Sequence, residues 1–96
     1  MNMVELNDEI IKIFIESKLV EYDGFVLVGN HLENSFNGFD VIFEAKGRQL
    51  LLYSKRDSEI LRSISLVDME PYNCIEFSLK SYYSFKECLS EVKKNH

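Results

Sequence analysis

Few residues in this chain have side chains suited to catalysis. His31 and His96 are its two histidines, and Cys74 and Cys88 its two cysteines. An imidazole at position 31 could carry a proton near neutral pH. Asn30, Glu33 and Asn34 beside it would not be out of place in an active site. His96 stands last and is expected to fray. A reactive thiol needs an electropositive, accessible setting. Cys88 falls on an apolar helical stripe, and Cys74 lies between Asn73 and Ile75, so both read as small apolar side chains. Asp40 and Glu44 share one face of an expected strand. Four strand residues separate them by about 13 Å, too far for the paired carboxylates of a glycosidase.

Motifs that concentrate such groups are missing. The chain has no C-x-x-C, H-x-x-x-H or H-E-x-x-H spacing, so no metal site is expected. Its four glycines are dispersed and form neither G-x-G-x-x-G nor a P-loop, and there is no G-x-S-x-G. The expectation is a protein without catalytic residues or cofactor. The alternative is a small enzyme or ligand-binding module that uses His31 beside a pocket between helix and sheet.

Charge is distributed unevenly. Sixteen acids against eleven Lys and Arg give a net charge of −5. Residues 1–45 carry nine acids against Lys12 and Lys18, whereas 46–62 hold Lys46, Arg48, Lys55, Arg56 and Arg62. An acidic front half disfavours nucleic acid, which is bound by neutralising phosphates. It favours a basic protein partner. Phe36, Tyr53, Tyr72, Tyr82 and Tyr83 are hard to bury by pattern, although Tyr82-Tyr83 also read as closing the core beside a helix N-terminus, and aromatics anchor protein interfaces. Glu33, Phe36, Asp40, Glu44 and Tyr53 are therefore the candidate partner-binding residues, in a heterodimer or, alternatively, a homodimer. Ile, Lys, Asn, Phe and Tyr are abundant and Gly, Ala, Arg and Pro scarce, which points to an AT-rich gene. No apolar run approaches the ~20 residues of a membrane helix. The opening MNMVELNDEI has no basic, apolar leader pattern. A cytoplasmic location is expected.

These side chains need a scaffold to position them. An apolar fraction of 46% with 28% charged residues suits one folded domain over 1–96. Residues 7–20 predict a helix, with Asn7 as N-cap and Leu6, Ile10, Ile13 and Phe14 on its apolar stripe. Phe25–Val28 is strand-like. Residues 39–46 and 48–55 predict a hairpin in which Ala45 faces Arg48 and Phe43 meets Leu50. Asn37-Gly38 predicts a tighter one, with Phe36 facing Phe39, Leu32 meeting Phe43 and His31 falling opposite Glu44. Its alternative is a wide loop from Gly29 to Gly38. Residues 57–67 lean towards a short helix or turn capped by Asp57 or Ser58, while SISLV reads equally as a short strand, and irregular chain is expected before Pro71. Residues 73–80 alternate like a strand, with Ile75, Phe77 and Leu79 on one face. Ser84 to Glu87 reads as a capping box that opens a closing helix. The sum is α+β, a roughly four-stranded antiparallel sheet with both terminal helices on one face, in the order α-β-β-β-(short helix or irregular)-β-α.

A small, acidic chain without motifs, with this layout, resembles the immunity proteins of bacterial toxin systems. The resemblance lies in size, charge and layout, and no residue is carried over from it. It implies a protein-binding inhibitor that neutralises a basic toxin domain, such as a nuclease. A phage or plasmid anti-defence or regulatory protein acting by acidic mimicry would share the same features.

Overall fold

Three two-residue turns fold the middle of the chain into an antiparallel ribbon. They join β1 (Val26–Val28), β2 (His31–Phe36), β3 (Phe39–Lys46) and β4 (Gln49–Ser54). At Asn37-Gly38 both φ angles are positive, 55° and 85°, as a type I′ turn requires. Phe36 then faces Phe39 and Leu32 faces Phe43, as the sequence predicts. The wide-loop alternative is ruled out by this pairing. Gly29 and Gly47 each take φ of 62° at the first turn position, the glycine placement of the II′ class. Gly47 therefore opens its turn instead of closing it. Ala45 faces Leu50 and Phe43 faces Leu52, two residues away from the expected register. An even shift keeps every side chain on its expected face.

A fifth strand, β5 (Ile60–Ser65), pairs with β4 and completes a sheet in simple sequence order. The short helix expected within 57–67 is thus a strand. It supplies the ladder partners that β4 would otherwise lack, with Leu50 facing Ile64 and Leu52 facing Arg62. A bulge between Leu52 and Tyr53 shifts the register there.

The helices α1 (Met3–Asp23) and α2 (Cys74–Asn95) cover one face of this sheet. The computed structural model describes residues 3–67 and 74–96, with side chains from Asn7 onward. Leu6 as a side chain, Tyr72 and the stretch before Pro71 lie outside the described residues. The strand expected over 73–80 is the start of α2 where described. Ser78, Ser81, Tyr82, Phe85, Cys88, Leu89 and Val92 are buried at spacings of three and four, while Ile75 and Leu79 are exposed. Alternation over a few residues could not separate the two periods. The Ser84–Glu87 capping box accordingly lies in mid-helix. Ser84 accepts from Arg62 Nη1 at 2.8 Å through Oγ and at 3.1 Å through its carbonyl.

In α1 the buried stripe is Asn7, Ile11, Ile15 and Leu19, four residues apart. Asn7 is a residue of the helix interior and not its N-cap. Ile10 and Ile13 point to solvent, and Phe14 is half-buried. This helix carries apolar side chains on more than one face, so spacing alone did not select the packed one. Phe43 meets Phe85 edge to face at 5.4 Å between centroids, between sheet and α2. Both helices run the same way. Asp8 sits by Arg48 and Asn7 by Cys74 at one end, and Phe39 stacks on His96 at the other.

Candidate functional site

Strand alternation sends half of the sheet away from the helices. One cross-strand row on that outer face reads Val26, Glu33, Ile42, Tyr53, Ile60. Asp40 and Glu44 flank Ile42 on the same side of β3. Of the five residues expected to bind a partner, Glu33, Asp40, Glu44 and Tyr53 are thus brought together. Phe36 is not. It lies on the helix side, packs against the core and sits under the Lys93 ammonium, 5.2 Å from its ring centroid.

The outer face is tied together by polar side chains. His31 Nε2 lies 2.7 Å from Glu33 Oε2, and Lys55 Nζ donates to Glu33 Oε1 at 3.0 Å. The bond to His31, then that to Lys55, holds the Glu33 carboxyl below the usual carboxylate range. The register sets His31 opposite Glu44 as expected, but its ring bonds Glu33 of its own strand. Glu44 instead accepts from the Tyr53 hydroxyl at 3.2 Å. Burial, then the Glu44 charge, pushes the Tyr53 hydroxyl pKa up. Asp40 is exposed, and its carbonyl accepts from the Lys55 amide at 3.0 Å. Ile42 lies beneath this web and is only 6 % exposed, although no helix among the described residues covers it. Two open depressions flank the row. One of about 310 Å³ includes Val26, Val28, Glu33 and Asp40, and one of about 230 Å³ includes Glu44, Leu51, Tyr53 and Ile60.

The basic run at 46–62 is largely consumed inside the molecule. Arg48 forks onto Asp8 at 2.8 and 3.0 Å and reaches the Leu66 carbonyl at 3.1 Å. Arg62 holds Ser84 and approaches Glu87 at 3.7 Å, and Lys55 holds Glu33. Charge counting along the chain could not show this, because the partners are 22 to 40 residues away. Strand alternation puts Ile42 on the face that Asp40 and Glu44 share. It gave no sign that polar neighbours bury it.

His31 and Glu33 form an imidazole–carboxylate pair, a geometry able to move a proton, with Glu33 shared by Lys55. Burial raises the Cys88 thiol pKa and keeps it protonated. Cys74 is half-buried, with Sγ 3.9 Å from the Asn7 carbonyl. Among the described residues no three of His, Cys, Asp and Glu are placed to hold a metal ion. No helix among them is long and apolar enough to cross a membrane. No protein-family model, curated protein or solved structure matches this chain.

Proposed function

We propose that this chain is a non-catalytic binding protein that occupies a basic surface of another protein with the outer face of its sheet. The observation that carries the reading is one uncovered face on which Glu33, Asp40, Glu44 and Tyr53 stand together over a buried Ile42. The carboxylates supply steering and the tyrosine supplies contact area. His31 and Lys55 hold Glu33, and Tyr53 holds Glu44, so less side-chain entropy is lost at these two acids on binding. A toxin-neutralising immunity protein, acting on a basic toxin domain in the cytoplasm, is the form of this function that best suits a small acidic α+β chain.

The test is co-expression with the product of the adjacent gene. Relief of growth arrest by this chain, with a one-to-one complex whose association slows as salt rises, is the expected result. A triple change, Glu33→Lys with Asp40→Lys and Glu44→Lys, abolishes relief while the protein stays folded. Relief that survives the triple change overturns the assignment of this face. A neighbour that neither arrests growth nor binds overturns the immunity reading.

A further inference from the structure

The two edges of the sheet are guarded differently. β5 carries Arg62 and two serines, and α2 packs beside it. β1 has Val26, Leu27 and Val28, which are 58, 68 and 43 % exposed. Among the described residues no strand pairs with its outer edge, and an uncharged apolar strand on such an edge is a template for another strand.

Hairpin geometry shows which backbone groups of β1 are free. Val28 faces His31 directly across a two-residue turn, the hydrogen-bonded kind of pair. Bonded and non-bonded pairs alternate along an antiparallel ladder. Val26 and Val28 therefore spend their N–H and C=O on β2, while Leu27 directs both of its groups outward. The neighbouring Phe25 amide is already bonded to the Leu19 carbonyl at 3.2 Å. One residue with both groups free is what two-fold antiparallel pairing needs. Leu27 facing Leu27 of a second copy exchanges both bonds, and each Val26 then faces a Val28.

We propose that two copies of this chain join through β1, antiparallel about Leu27, into one ten-stranded sheet. The helix side is shaped for it. Between α1 and β1 lies an open groove of about 420 Å³ lined by Glu16, Ser17, Val20, Leu27 and Leu32, where the two Leu27 side chains meet. Ile13 and Val20 stand exposed on α1 and extend this apolar flank. Burial already raises the Glu16 carboxyl pKa there, so covering it further counts against a tight dimer. A second copy suits this edge better than a basic segment does, because every pair the strand makes with itself is apolar. Five half-exposed side chains, each offering on the order of 100 Å², fall short of the roughly 800 Å² per partner of a standard interface. The dimer is therefore weak, with a dissociation constant on the order of 10 µM or higher.

Sedimentation equilibrium from about 10 µM to 1 mM tests it across that range. The wild type shifts from one chain to two as concentration rises. Leu27→Lys, at an exposed position, stays at one chain with an unchanged melting temperature. Ile60→Lys, on the opposite edge, dimerises as the wild type does. Leu27→Cys becomes disulfide-linked under mild oxidation to a degree the wild type does not, because facing Cα atoms lie about 5.5 Å apart. A wild type that remains one chain at the highest concentration overturns the proposal. So does a Leu27→Lys protein that still dimerises, or loss of the dimer on Ile60→Lys.

Discussion

Phe43 and Ile42 are neighbours in β3 and point to opposite faces of the sheet. Phe43 is sealed by α2, with Phe85 edge-on against it. Ile42 is almost as buried, yet its roof is made of side chains from the flanking strands, Glu33 and Tyr53 among them. One face excludes water with two helices. The other does so locally, with the apolar bodies of polar residues. A surface of the second kind stays open to a partner and still holds Glu33 and Glu44 in place.

The comparison is sharpened most by truncating both residues. Phe43→Ala is expected to cost about 3–5 kcal/mol in urea denaturation, enough to unfold a large share of a domain this small. Ile42→Ala is expected to cost about 2 kcal/mol, because a roof of flexible side chains can settle into the space. Equal losses would show that the outer face is a second rigid core. The tyrosines make the next contrast. Tyr82, a buried residue of α2, donates to Asp23 Oδ2 of α1 at 2.7 Å, with its hydroxyl pKa pushed well up by burial and then by that carboxylate. Tyr82→Phe strands the acceptor and is expected to cost about 1.5–2 kcal/mol. Tyr53→Phe, on the open face, should stay within about 0.5 kcal/mol. It should instead be seen as faster dissociation of a bound partner. The smallest effect concerns pH. Glu33 has its folded pKa lowered by His31 and Lys55. Its contribution is present above the ordinary value of 4.5 and is lost as pH falls through the lower folded value. Glu33→Gln should therefore show a smaller drop in melting temperature between about pH 5 and pH 3 than the wild type.

Much of the α+β layout was legible in the sequence where a local rule had one solution. Asn37-Gly38 needs two positive φ angles, and that requirement alone set the register of β2 on β3. Gly47 fits either position of a tight turn, so the β3–β4 register came out two residues off while the faces stayed right. The stretch 57–67 offers helix caps and β-branched residues together, and only the unpaired edge of β4 decided between them. Cys74 to Lys80 alternates well enough for a strand. Its helical character shows only when Phe77, Ser81 and Phe85 are read with it as one stripe. The candidate site divided the same way. Alternation placed four of its residues on one face. It sent Phe36 to the other, and the pairing of Lys55 with Glu33 depended on contacts that no local pattern encodes.

The order of the strands also governs how the chain folds. Each strand pairs with its neighbour in sequence, so the sheet closes through short loops at little entropic cost. The helices meet across 67 residues, at Asn7 and Cys74. During synthesis α1 emerges first and finds its helical partner last. Its stripe of Ile11, Ile15 and Leu19 is thus the apolar surface left longest without full cover, and the stage before α2 docks is when a nascent chain of this protein is most prone to aggregate.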